Sequence, residues 1–306
     1  MEKNLTVLGS INADHVISVP YFAKPGETLT GSHYRINYGG KGANQAVAAA
    51  RLGGNVSFIS CIGDDDIGRA MKNAFAQDGI DIHAITQVEG EMTGIAMIQV
   101  SETGENSIVL STGANGRLDP SRVEHFAQEI KQADYLLMQL ETPLAGVMTA
   151  AALACQSQTK VVLNPAPAQL LPDELLRNVD IITPNETEAE ILTGVKVGDQ
   201  AGALKAAQVF HAKGIQTVLI TLGAKGVFYS QQGKGEIIAG FKVAAKDTTG
   251  AGDTFNGGLV VALLEGQPID DAIRFAQAAA AISVTRTGAQ SSIPIRSEVL
   301  AFLQSV

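Results

Sequence analysis

Six short β-branched runs, at residues 5–8, 56–62, 135–140, 161–164, 181–183 and 218–221, are separated by Ala-rich helical stretches. Several of the runs are apolar on consecutive residues, so both faces of each strand need cover. That is the pattern of a parallel sheet with helices on either side. Strand–helix alternation of this kind predicts a doubly wound α/β fold with a mainly parallel sheet. Local signals set the helix ends. Residues 44–52 stop at Gly53-Gly54, residues 65–77 stop near Gly79, and residues 120–132 start with Pro120 at an early helical position.

Two stretches break the alternation. Residues 13–38 read as strand, Lys24-Pro25-Gly26-Glu27 turn, strand; residues 93–112 read as a hairpin about Glu102-Thr103-Gly104-Glu105. Neither has a helix to cover it. A small β-sheet appended to one α/β unit spanning 1–306 is expected, closing as a lid on a ligand or on a second copy of the chain. Lys and Arg number 22 against 31 Asp and Glu, a formal charge of −9. That excludes a general binder of nucleic acid or anionic membrane, which needs a basic stripe. No apolar run reaches the roughly 18 residues of a membrane span, and the start of the chain lacks a signal-peptide core. A soluble cytoplasmic setting is expected, with Cys61 and Cys155 as buried free thiols.

Four segments carry candidate chemistry. In Asp247-Thr248-Thr249-Gly250-Ala251-Gly252-Asp253-Thr254-Phe255 a Gly-Ala-Gly turn runs into a helix expected over 253–264. Its unpaired N–H groups and positive helix end suit developing negative charge. Asp253 reads either as a cap or as a base beside those donors. In Gly39-Gly40-Lys41-Gly42-Ala43-Asn44 three glycines surround one lysine before a helix. A turn with Asn44 as N-cap is one reading, and a polyhydroxy ligand held by Lys41 and Asn44 is the other. Asn12 and Asp14, at the end of the first core strand, can share one face. Ligands bind beyond the strand C-termini of such sheets. In Pro184-Asn185-Glu186-Thr187-Glu188 the spacing fits a capping box slightly better than a cation-organising pair. Glu141 is a further strand-end carboxylate. The five histidines are dispersed, without metal-ligand spacing. Phosphate-loop, dinucleotide and nucleophile-elbow motifs are absent.

The stretch 39–54 and the intact run from Asp247 to Phe255 together resemble the two signatures of the ribokinase-like (PfkB) sugar kinase family, and the likeness runs end to end. The resemblance implies ATP-dependent phosphorylation of the 5-hydroxyl of D-ribose. Asp253 would take the hydroxyl proton, with Gly250, Ala251 and Gly252 as anion hole. Asn12, Ala13, Asp14, Gly40, Lys41, Gly42, Asn44 and Glu141 would hold the sugar. ATP would contact Asn185, Thr221, Leu222, Gly223, Ala224, Lys225, Gly226, Gly252, Asp253 and Gln277. Asn185 and Glu188 match an Asn-x-x-Glu motif tied to Mg²⁺ and phosphate, which displaces the capping-box preference. Asp247, Thr249, Ser283, Arg286, Gly288 and Ser292 would bind an activating K⁺, mostly through main-chain carbonyls. The lid strands would pair two subunits into a homodimer.

Other readings remain at this stage. A kinase of fructose, 2-deoxyribose or adenosine would use the same base. A sugar or nucleotide sensor would have no need of Asp253. A nicotinamide-dependent dehydrogenase would need the missing dinucleotide fingerprint.

Overall fold

A computed structural model describes residues 3–306. Among these, the strands are β1 (Asn4–Leu8), β2 (Asn12–Val19), β3 (Ser32–Gly39), β4 (Asn55–Gly63), β5 (Ile85–Val88), β6 (Gly94–Ser101), β7 (Asn106–Ser111), β8 (Tyr135–Met138), β9 (Lys160–Leu163), β10 (Ile181–Ile182), β11 (Thr217–Thr221), β12 (Gly226–Gln231) and β13 (Lys234–Ala239). The helices are α1 (Lys41–Arg51), α2 (Asp66–Gln77), α3 (Pro120–His125), α4 (Ala127–Lys131), α5 (Leu144–Ser157), α6 (Asp173–Leu176), α7 (Glu186–Thr193), α8 (Gln200–Ala212), α9 (Ala251–Leu264), α10 (Ile269–Ser283) and α11 (Arg296–Ser305).

Nine strands form one sheet in the order β13-β12-β11-β10-β9-β8-β1-β4-β5. It is parallel from β5 to β11, and only the edge pairings β11–β12 and β12–β13 are antiparallel. Successive side chains of each strand enter opposite cores. Leu5, Val7, Phe58, Leu137 and Leu219 join α1, α9 and α10 on one face. Leu8, Ile59, Leu136, Val161 and Ile220 join α5 and α8 on the other. This two-sided burial is why the strands read as unbroken apolar runs. The mainly parallel α/β architecture is as expected, and the uncovered segments form a separate sheet in the order β3-β2-β6-β7.

Three local readings differ. Residues 120–132 form two short helices, because Phe126 leaves helical geometry (φ −104°, ψ 29°) and sets its ring edge-on to His83 and His125. Helix α1 begins at Lys41, three residues before the expected start. Gly40 turns the chain at φ 90°, where a Cβ would lie 2.7 Å from the Asn12 nitrogen. Asn44 is therefore inside the helix and caps nothing. Cys61 is buried as expected, but Cys155, late in α5, is exposed. No helix among the described residues is long and apolar enough to cross a membrane.

The two helices that meet at the centre are held close by glycine. A Cβ on Gly257 of α9 would lie 2.6 Å from Ala48 Cβ and 2.9 Å from the Gln45 oxygen of α1. Gly257→Ala is expected to force the helices apart and cost about 1–3 kcal/mol, read as a lower thermal midpoint. Gly252→Ala, whose Cβ meets nothing within 4 Å, serves as control and should leave the midpoint unchanged or raised.

Candidate active site

The site lies where β2 and the turns before α1 and α9 converge. Gly250, at φ 73°, is the N-cap of α9, so Ala251, Gly252 and Asp253 form its first turn with N–H groups unpaired by the helix. Asp253 does not cap the helix. It is 7% exposed, and its carboxylate turns toward α1, accepting from Asn44 Nδ2 at Oδ2 (2.9 Å) and from Gln45 Nε2 at Oδ1 (2.9 Å). Burial pushes its pKa above the usual carboxylate range, against Lys41, Asn44 and Gln45, which favour the charged form.

Lys41 is charged in spite of its burial. Desolvation opposes the ammonium, yet Asp253, Glu141 and Glu188 together raise its pKa above the ordinary lysine value. Glu141 Oε2 accepts from Ser10 Oγ (2.6 Å) and from the Lys41 backbone N–H (3.0 Å), which seats it at the positive end of α1. Asp14 lies against Gly39, where a Cβ would come within 2.1 Å of its carboxylate. Asn12 is fixed by Asn115, whose Nδ2 donates to Asn12 Oδ1 at 2.8 Å and to the Ile11 oxygen at 3.0 Å. Ala13 points to the opposite face of β2, so only its main chain is available. Gly40 and Gly42 contribute shape, since a Cβ on Gly42 would lie 2.5 Å from the Ser10 nitrogen. One buried acceptor, Asn44 Oδ1, has no protein partner. It sits beside the base, as a hydroxyl-binding group should.

On the far side of the α9 terminus runs a cleft of about 420 Å³, lined by Thr221, Gly223, Ala224, Gly226, Phe241, Ala251, Gly252, Phe255 and Gln277. Gln277 donates to the Ile238 oxygen at 2.9 Å, while its buried Oε1 is unpartnered. Leu222 is instead a core residue, and Lys225 pairs with Glu186 at 3.4 Å. Asn185 and Glu188 do form a capping box, Asn185 Oδ1 accepting from Glu188 N and Glu188 Oε2 from Asn185 N, both at 2.8 Å. Desolvation raises the Glu188 pKa, and Lys41 and Asp253 are close enough to act on it. Cap and site proximity are thus combined in one residue pair.

The 247–292 segment is drawn together by Asp247. Its Oδ1 accepts from Thr249 N and Oγ1, and its Oδ2 from Gly288 N (2.8 Å). Burial works against its charge, but these donors and Arg35 hold the pKa below the usual value. The hydroxyls of Ser283 and Ser292 turn back to Ala280 and Ala289 oxygens, and Arg286 pairs with Glu298. Arg286 can offer a cation only its main-chain oxygen, since a guanidinium has no acceptor. No cluster of three or more His, Cys, Asp or Glu able to hold a metal occurs among the described residues.

Sequence reasoning missed Ser10, Gln45, Asn115, Asn164 and Phe241. Gln45 follows Asn44 in the glycine-rich segment and was within reach of the motif. Ser10 stands two residues before Asn12 and was equally within reach, whereas Asn115, Asn164 and Phe241 lie far along the chain and carry no local pattern.

A buried carboxylate at a helix N-terminus, between a sheltered polar site and an open cleft, defines a phosphotransferase: donors face developing charge while the acid takes a proton. Comparison with known proteins gives the same class. Residues 2–296 match the pfkB family carbohydrate kinase description. A ribokinase of Haemophilus influenzae is 69% identical over 304 residues, 99% of each chain. The structure of an Arabidopsis thaliana ribokinase complexed with ribose and ATP superposes with a TM-score of 0.95 at 34% identity, covering 99% of both chains. That of a Thermotoga maritima ribokinase gives 0.91 at 40% identity, again covering 99% of each. The chain belongs to the pfkB family of carbohydrate kinases.

Asp14 is pushed up to a pKa of about 7, through burial and then the Glu141 and Asp253 charges. The ordinary value of an aspartate carboxyl is 3.8, so the native state binds the extra proton between these values. The stabilisation is full below pH 3.8 and is lost as pH rises through about 7. Asp14→Asn should therefore raise the sugar-free thermal midpoint at pH 8, by at least about 2–4 °C, with the gain vanishing toward pH 4. Melting curves across that range check it.

Proposed function

We propose that this kinase transfers the terminal phosphoryl group of ATP to the 5-hydroxyl of D-ribose, giving D-ribose 5-phosphate and ADP. The observation that carries this reading is the placement of Asp253 between the Asp14–Lys41–Asn44 side and the cleft beside Ala251 and Gly252. The ribokinases it resembles supply the sugar.

Asp14, Lys41, Glu141 and Asn12 hold ribose hydroxyls, and Asn44 Oδ1 accepts another. The 5-hydroxyl faces Asp253. Its oxygen attacks the γ-phosphorus, the bond from phosphorus to the ADP oxygen breaks, and the proton passes to an Asp253 carboxylate oxygen. The N–H groups of Gly250, Ala251 and Gly252, with the α9 dipole, stabilise charge on the moving phosphoryl group. ATP lies along Thr221–Gly226 and Gln277, where the unpartnered Gln277 Oε1 accepts a donor from the nucleotide.

Mg²⁺ bound with ATP supplies neutralisation of phosphate charge. Glu188, with one carboxylate oxygen taken by its cap, fits such an ion, because Mg²⁺ keeps several waters and needs one or two protein carboxylates. K⁺ suits main-chain oxygens of Asp247, Thr249, Ser283, Arg286, Gly288 and Ser292, since the Asp247 side chain is engaged in organising that loop. The small sheet acts as the lid. Ile36, Met97 and Val109, in register about His15, leave an apolar row 43–67% exposed, suited to a second copy of the chain.

ADP release with D-ribose, D-fructose, 2-deoxyribose and adenosine tests the acceptor. Ribose should dominate, and K⁺ should exceed a bulky organic cation. Asp253→Asn is expected to lower kcat by about 10²–10⁴ while ribose still binds. Normal turnover in that variant would remove Asp253 as base.

A further inference from the structure

Beneath the reacting groups lies a chain of buried side chains that the mechanism above does not use. Gln139 Nε2 donates to Gln45 Oε1 at 2.6 Å. Gln45 Nε2 donates both to Asp253 Oδ1 (2.9 Å) and to Asn164 Oδ1 (3.0 Å). Asn164 Nδ2 donates to the Thr183 carbonyl at 3.0 Å. Gln45 is 0% exposed, Gln139 and Thr183 1%, and Asn164 7%. We propose that this amide relay, anchored at the Thr183 carbonyl, is the positioning device that fixes the Asp253 carboxylate and keeps it in its proton-accepting form.

The direction of the relay follows from its anchor. A backbone carbonyl can only accept. Asn164 must therefore turn its NH₂ to Thr183 and its oxygen to Gln45. Gln45 must then present its own NH₂, and the second proton of that group points at Asp253. A reversed Gln45 would set its oxygen against both Asn164 Oδ1 and the carboxylate. Gln139 locks it from the other side by occupying Oε1. Four residues, from α1 and the segments that follow β8, β9 and β10, thus hold one donor on the base. The same Thr183 donates its hydroxyl to Asn256 Oδ1 (2.6 Å), and Asn256 Nδ2 donates to the Gly252 oxygen (2.8 Å). One residue at the end of β10 therefore ties the base to the turn that faces phosphate.

A donor to a carboxylate favours the ionised form, and losing a hydrogen bond to a charged group changes its energy by about 1.5–3 kcal/mol. The charged groups that face Asp253 are Lys41, Asp14, Glu141 and Glu188, and all stay in place in the variants below. The inference rests on Asp253 being the base, so Asp253→Asn is measured alongside.

Gln45→Met keeps the length and loses the donor. The acid limb of its kcat–pH profile should move up by about one to two units, with KM for ribose changed less than about threefold. Asn164→Leu touches the relay but not Asp253. It should shift the limb in the same direction by less, and the double variant should go no further than Gln45→Met, as linked sites do. A limb that stays at the parent's pH in Gln45→Met overturns the relay, as does strict additivity in the double variant. If Gln45→Met does not fold, Asn164→Leu carries the test, and an unmoved limb there overturns it. Normal turnover in Asp253→Asn would instead strike at the assignment of the base.

Discussion

Burying an ionisable carboxylate costs several kcal/mol unless donors and an opposite charge compensate it. Asp253 is buried, and its neighbours supply that compensation from distant parts of the chain. Asn44 and Gln45 donate from α1, Lys41 supplies the cation, and the first turn of α9 supplies dipole. The rest of the architecture can be understood as the means of keeping these groups together. The close approach of α1 and α9 at Gly257 sets the distance, and Gly40 and Gly250 set the point at which each helix begins.

Charge balance in the site is frustrated by design of its chemistry. Glu141, Asp253 and Glu188 face a single Lys41, and Glu141 and Asp253 also act on Asp14. Each carboxylate raises the proton affinity of its neighbours, and burial adds to the effect. Sugar hydroxyls would donate to such acceptors and relieve the repulsion on binding. The unpartnered Asn44 Oδ1 belongs to the same economy of unmet hydrogen bonds. Local stability is low here for the reason that makes the site functional.

The wide sheet separates roles by face and by end. Its two faces are packed by apolar residues that alternate along each strand. Its C-terminal end carries the polar groups: Asn12 after β1, Asn164 after β9, Thr183 and Asn185 after β10, and Thr221 on β11. This is the expected location of ligands in open α/β sheets. The small sheet differs in kind, since one strand of it, β2, carries Asn12 and Asp14 into the site while its other face stays apolar and exposed.

Much of this is legible in the sequence. The unbroken apolar runs required a sheet covered on both sides, because an alternating half-buried strand would have shown polar residues at every second position. The two glycine-rich segments marked helix starts, because glycine at positive φ lets a chain turn directly into a helix. Helix boundaries were less legible. Asn44 looked like a cap, since a cap and an inward-facing interior residue have the same local sequence, and Gly40 alone decided between them. Phe126 leaves helical geometry with its ring set against His83, a residue that no local window around it contains. The chain by itself thus determined fold class and the residues of the two signatures, through local periodicity and turn chemistry. Only the tertiary structure decided that Gln45, Gln139, Asn164 and Thr183 form one hydrogen-bonded line to Asp253. Their contacts span up to 208 residues of sequence. A buried amide acquires meaning from the partner opposite it, and that partner is chosen by packing.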